Sequence, residues 1–266
     1  MDTSNLKIAI IGAGNMGGAI ARGLLSGTLV KNSNIRVSDI GEQSLKALKA
    51  LNQEITVSTS NVEIINGADI IILAVKPWLV EQVADEIRKK INYKQQIIDS
   101  VAAGVDFKAL TAYFDDDAVM FRVIPNTAID VLQSVSTISA YNADPTHEQL
   151  VKNIFGELGK VFMVPESQLN AFMSLSSCGI AYAFRYIRAA MAGGVEMGIP
   201  AQTAKEVVLQ TLRGAIDLIE SKNAHPEVEI DKVTTPGGIT IKGLNEMEAN
   251  GFTNAVIKGL KASQIK

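Results

Sequence analysis

The stretch "KIAIIGAGNMGGAIARGLL" (residues 7–25) runs from an apolar segment through Gly12, Gly14 and Gly17 into a helical pattern. In G-x-G-x-x-G between a strand and a helix, the first glycine permits the tight turn. The second lets a pyrophosphate approach the backbone, and the third lets the helix close on the strand. Free backbone N–H groups and the helix dipole then attract the anion. Asn15 and Met16, between the second and third glycines, fall inside the same candidate cofactor site. The motif alone is weak, because a glycine-rich turn can serve the fold without a ligand.

Its surroundings strengthen it. Across the first half, short β-type runs alternate with amphipathic stretches such as "EQSLKALKAL". The runs are "LKIAIIG", "NIRVSD", "ITVS", "ADIIILAV", "QQIIDSV" and "AVMFRVI". This alternation predicts βαβ units and a parallel sheet, and a run as apolar as "IIILAV" suits a sheet covered on both faces. "VSTISAY", a helix from about Pro145 and "KVFMV" follow. Beyond about Glu166 no strand pattern remains, and helices are expected over roughly 167–197, 201–222, 238–249 and 252–264. The predicted fold class is α/β: a Rossmann-type doubly wound sheet over 1–165, then an all-α domain over 166–266. In the latter, "LNAFMSLSSCGIAYAFRYIRAAMAGG" is apolar around most of a helix, so part of its cover is expected from a second subunit.

Composition narrows the function. With 266 residues and a net charge of −3, the chain shows no basic stripe and few aromatics, which argues against nucleic acid. No apolar run approaches the roughly 18 residues needed to span a bilayer. A single cysteine, Cys178, excludes an intrachain disulfide, and "MDTSNLK" carries an acid where a leader would be basic, so a cytoplasmic protein is expected. His147 and His225 read as structural and Cys178 as a packed small side chain; together they offer no metal site. "SLSSCG" is not G-x-S-x-G, which leaves no nucleophile turn for a hydrolase. The chemistry is therefore expected from a cofactor, and hydride transfer fits.

Two further positions bear on that cofactor. Asp39 ends the second run, where an acid accepts hydrogen bonds from the adenosine ribose; no Arg or Lys follows at once, which leans toward NADH over NADPH. Its alternative role is to cap the next helix. Lys76-Pro77 closes the fourth run, at the sheet edge where ligands gather. Lys76 can reach the nicotinamide ribose or phosphate, or stay solvated; Pro77 suits the start of a helix, and Trp78 reads as packing. A second glycine turn, "VTTPGGITIKGLNEME" (residues 233–248), also opens a helix and is a second candidate anion cradle.

Taken together, "IGAGNMGGAIARGL", "ADIIILAVKP", "SVAAGV", "RVIPNTA" and "GIAYAF…QTLRGA…HP…D.VTTPGGITI.GL..ME..GF..A" resemble the pyrroline-5-carboxylate reductase family over nearly the whole length. The resemblance implies reduction of the cyclic imine 1-pyrroline-5-carboxylate to L-proline with NADPH or NADH. It also implies a helical C-terminal dimerisation domain, in a family whose dimers often assemble into decamers. By position, Asn61 would lie near the adenosine. Ala74, Val75, Lys76 and Pro77 would line the cofactor, with Ala102, Ala103 and Gly104 beside the nicotinamide. Pro125 and Asn126 match a segment near the active site. Gly237 and Gly238 would present N–H groups to the substrate carboxylate, joined by Thr235, and the catalytic Thr240 hydroxyl would lie near the ring nitrogen.

The chain departs from the family pattern at Ser177, Cys178, Ile180, Arg188, Ala192 and Ile239, around the implied substrate pocket and dimer packing. Two other readings stay open: a related imine or oxo-acid reductase with a reshaped pocket, and a dinucleotide-binding sensor without turnover.

Overall fold

The structure, a computed structural model, describes residues 5–264; most of the "MDTSNLK" leader reading lies outside them. The chain divides into two compact units, one extending to Ser177 and the other Cys178–Gln264.

In the first unit, β1 (Ile8–Ile11), β2 (Ile35–Ser38), β3 (Thr56–Ser58), β4 (Ile70–Leu73), β5 (Ile97–Ser100) and β6 (Met120–Ile124) are parallel, and β7 (Ser134–Tyr141) and β8 (Gly159–Met163) extend the sheet. Helices α1 (Asn15–Ser26), α2 (Glu42–Leu51), α3 (Asn61–Ile65), α4 (Val80–Ile87), α5 (Phe107–Tyr113) and α6 (Pro145–Gly156) connect or follow them. The strand order is β3-β2-β1-β4-β5-β6-β7-β8, so the chain reverses direction across the sheet between β1 and β4. Alternate residues of each central strand feed opposite cores. Ile8, Ile10, Ile70 and Ile72 join one with α1, α2 and α6, while Ala9, Ile11, Ile71 and Leu73 join the other with α3, α4 and α5. Two apolar layers on one sheet explain why "IIILAV" carries no polar face.

β7 runs antiparallel to β6. Only a short segment with a 3-10 turn, Thr127–Val131, joins the two strands. A parallel return needs a crossover of about a dozen residues or more, so this length imposes the reversal. β8 then pairs parallel to β7 through α6.

The single helix expected over 167–197 is two. α7 (Leu169–Leu175) packs through Leu169 and Met173 on Ile124, and α8 (Gly179–Glu196) begins after a three-residue turn. The Ser174 and Ser176 hydroxyls donate to the carbonyls four residues back, Asn170 O (3.0 Å) and Phe172 O (2.8 Å), a contact that bends helices. Ser177 Oγ donates instead to Pro125 O at 2.6 Å, far away in sequence. The first unit therefore extends beyond residue 165 to take in α7. Cys178 lies at the break as the residue before α8, half-buried rather than packed inside a helix.

The second unit is all helix: α8, α9 (Ala201–Lys222), α10 (Pro226–Val233), α11 (Ile239–Ala249) and α12 (Phe252–Ala262). α10 was not expected from periodicity, although Pro226 at its first turn and His225 as its cap are ordinary start signals. Gly194 lets α8 and α9 approach closely, since a side chain there would come within 3.0 Å of Ala204 Cβ. The Tyr182 hydroxyl meets Ser263 Oγ and donates to Gly259 O (3.3 Å), which ties α8 to α12. Within this unit Gly194 and Ala204 are the buried residues among those described; Tyr182, Phe184 and Tyr186 of α8 are all exposed.

Candidate active site

A cleft of about 830 Å³ opens at the C-terminal edge of the parallel strands, centred where the strand order reverses. Open α/β sheets bind ligands at this switch point. Its floor is the turn after β1, where Gly12, Gly14, Asn15 and Met16 line the cleft. The three glycines of that turn have different causes. Gly12 has φ +102°, and a side chain there would press within 2.7 Å of Ala74 O. A side chain on Gly17 would collide with Gly12 O, so Gly17 serves the turn and does not line the cleft. Gly14 has an ordinary φ of −68°, and a side chain there would meet nothing. The fold does not demand this glycine, whose missing side chain leaves the backbone open to the cleft.

The helix that follows fits an anion. α1 starts at Gly14 with no side-chain cap and no acid in its first turn. Its leading N–H groups and its dipole are therefore available to a pyrophosphate. The residues present thus fit a bound dinucleotide.

Around this floor each strand end contributes. After β2, Asp39 and Ile40 line the cleft. Asp39 accepts Ala13 N–H at Oδ2 (2.6 Å) and Gly41 N–H at Oδ1 (2.7 Å), joining the glycine turn to the start of α2. Asn61, the first residue of α3, is oriented at both amide atoms: Ser38 Oγ donates to Oδ1 (2.6 Å), and Nδ2 donates to Glu86 Oε2 (2.8 Å). After β4, Ala74, Val75, Lys76 and Pro77 line the opposite wall, and after β5 Ala102 and Ala103 do so. Gly104, which has φ +82°, lies outside the lining.

Other expected positions behave differently. Asn126 is buried and caps the 3-10 turn, its Oδ1 accepting Ala128 N–H (3.1 Å), while Pro125 is engaged by Ser177. Their neighbours Thr127 and Asp130 reach the cleft instead. Trp78, expected to pack, is 75 % exposed, because the 3-10 turn Pro77–Leu79 points Leu79 and not the indole at the cleft wall. His147 and His225 are helix-capping groups: Asp144 N–H donates to His147 Nδ1 (3.3 Å) and Glu227 N–H to His225 Nδ1 (3.3 Å).

Arg22, Gln82, Glu86, Thr127 and Asp130 also line the cleft without having been singled out. Three of them had a signal. Gln82 and Glu86 share a face of α4 with Leu79 and Val83, at spacings of three and four, and Thr127 directly follows the matched Pro125-Asn126. Arg22 and Asp130 had none; their 2.6 Å ion pair bridges residues 108 apart.

In the second unit, a tight glycine turn precedes α11. Gly238 N–H donates to Thr235 O (2.9 Å), Gly237 sits at φ +73°, and a side chain on Gly238 would reach 2.5 Å from Thr235 Oγ1. α11 then begins with no side-chain cap and no acid in its first turn. Thr235, Gly237, Ile239 and Thr240 are exposed around that helix start.

Two family models match different parts of the chain. Residues 7–104 match the family "NADP oxidoreductase coenzyme F420-dependent", and residues 166–266 match "pyrroline-5-carboxylate reductase dimerisation". The pyrroline-5-carboxylate reductase of Methanosarcina acetivorans is 36 % identical over 98 % of this chain and 97 % of its own length. Pyrroline-5-carboxylate reductase 1 of Dictyostelium discoideum is 35 % identical over 97 % of this chain, which spans 49 % of that longer protein. The crystal structure of a Plasmodium falciparum pyrroline carboxylate reductase with NADP bound superposes with a TM-score of 0.90. It is 26 % identical, with 98 % of this chain and 96 % of that one covered. Identity of this order over the full length of a relative, with a nucleotide cleft in the first half and a dimerisation match in the second, is shared ancestry of the whole chain: it belongs to the pyrroline-5-carboxylate reductase family.

Proposed function

We propose that the chain reduces 1-pyrroline-5-carboxylate to L-proline with NADH or NADPH, the last step of proline biosynthesis. The observation that carries this reading is the uncapped, acid-free start of α11 behind Thr235–Gly238, a cradle for a small carboxylate in a chain that already has a nucleotide cleft. The Gly237 N–H and the leading N–H groups of α11 bind the substrate carboxylate with Thr235, while the Gly238 N–H is held by Thr235 O and shapes the turn. A carboxylate held at a helix start gains charge-assisted hydrogen bonds and a favourable dipole. Positioning of this kind can lower a barrier by several kcal/mol, with about 7–11 kcal/mol as the upper range.

The dihydronicotinamide supplies a hydride to the imine carbon when bound. The ring nitrogen must carry a proton as that happens, and the Thr240 hydroxyl holds it by a hydrogen bond. Threonine is a poor net acid, so the proton comes with the substrate as its iminium or from water, and Thr240 positions it. In the cleft, Gly12, Gly14, Asn15 and Met16 would seat the pyrophosphate, Asp39 and Asn61 the adenosine, and residues 74–77 with Ala102 and Ala103 the nicotinamide side.

Residues 166–266 act as the substrate-binding and dimerisation domain of a cytoplasmic homodimer, which the family pattern extends to decamers. The single cysteine fits a reducing compartment. Thr240→Ala tests the assignment: it should lower kcat with pyrroline-5-carboxylate by about 10–100-fold, the loss of one hydrogen bond to a charged group, while cofactor affinity is kept. Unchanged kcat would refute the role.

A further inference from the structure

We propose that this chain selects NADH over NADPH, and that Asp39 and Ile40 make the choice. The inference rests on the dinucleotide reading of the cleft, and it narrows that reading to one cofactor. NADPH differs by a phosphate on the 2′-hydroxyl of the adenosine ribose. A site takes that phosphate with Arg or Lys and takes the free hydroxyl with a carboxylate.

In a sheet of this order the adenosine ribose lies beyond the end of β2, where Asp39 stands. Its carboxylate is not free to move aside. Ala13 N–H holds one oxygen at 2.6 Å and Gly41 N–H holds the other at 2.7 Å. Each oxygen keeps a second lone pair, so the group can still accept a ribose hydroxyl. A phosphate in that place would face a fixed anion.

The charges nearby add to the discrimination. Glu86 lines the same side of the cleft and is fixed through Asn61, whose other amide atom is held by Ser38. The first cation after β2 is Lys46, and its ammonium is engaged by Glu42 at 2.8 Å. The two cations that do line the cleft stand on other elements than the end of β2: Lys76 follows β4, and Arg22 is paired with Asp130. Ile40 is 94 % exposed at the cleft, an apolar surface that an adenine ring can cover and that offers a phosphate nothing. A relative has been solved with NADP bound, so the family scaffold admits the phosphate and the selection belongs to this chain's own side chains.

The test is equilibrium titration of the intact protein with NADH and with NADPH, in the absence of any imine. NADH should bind at least tenfold more tightly. Asp39→Ser should lower that ratio at least fivefold, and Ile40→Arg, at a side chain with almost no packing, should move it the same way and covers the case in which Asp39→Ser does not fold. Equal affinities, tighter NADPH, failure to bind either cofactor, or a preference for NADH that neither variant reduces would overturn the proposal. A preference for NADH in a protein that then fails to reduce pyrroline-5-carboxylate would leave the selectivity standing and remove only the reductase reading.

Discussion

Asp99 lies in the middle of β5, aligned between Ile72 and Phe121, and both its carboxylate oxygens are buried without a hydrogen-bond partner. Burial pushes its carboxyl well above the usual value of 3.8, which favours the neutral form in the folded protein. The sign of the linkage follows. The unfolded chain gives up this proton once pH passes the usual carboxylate range, while the folded chain retains it, so the group costs stability increasingly as pH rises from there toward the raised folded value. Asp99→Val should stabilise the protein by about 1–3 kcal/mol at pH 8 and by less at pH 5, read as urea midpoints at the two values. A gain that does not grow with pH would contradict a neutral buried acid. Nothing in "QQIIDSV" announced this. An acid in an apolar run is visible, but its isolation is decided by strands and helices distant in sequence. Asp39 was legible in position but not in detail: the place after β2 could be read, the two N–H groups that pin it could not.

At the scale of the element, the turn after β1 separates glycines required by the fold from Gly14, which the fold leaves unconstrained. Gly12→Ala forces a side chain into φ +102° against Ala74 O and should cost about 1–3 kcal/mol or more. Gly14→Ala should leave stability within about 0.5 kcal/mol, as for a surface change. The same variant should weaken dinucleotide binding at least tenfold, because its methyl group projects into the cleft. Chemical denaturation alongside a cofactor titration checks both. If Gly14→Ala binds as the unmodified protein does, the turn is not a phosphate cradle. The strand runs and this turn were legible because they depend on local pattern. The break between α7 and α8 was not, since Ser177 leaves the helix for Pro125 O, 52 residues away. Arg22 and Asp130 escaped for the same reason, whereas Gln82 and Glu86 repeat at helical spacing and could have been found.

At the scale of the molecule, the second unit leaves α8 with one buried residue of eighteen, and Phe184 remains 59 % exposed. A face of that kind belongs to an association surface. Light scattering should show at least a dimer, and Phe184→Glu should shift it toward monomer; a monomeric unmodified protein would contradict this. What the whole account turns on is the transfer of a hydride to the imine carbon of a small ring acid. That is read most directly by incubating the protein with pyrroline-5-carboxylate and NADH carrying deuterium at both hydrogens of the transferring carbon, then following the product by NMR. L-Proline carrying one deuterium on the ring carbon that had been the imine carbon is the expected product. Absence of turnover, or proline formed without deuterium there, would contradict it.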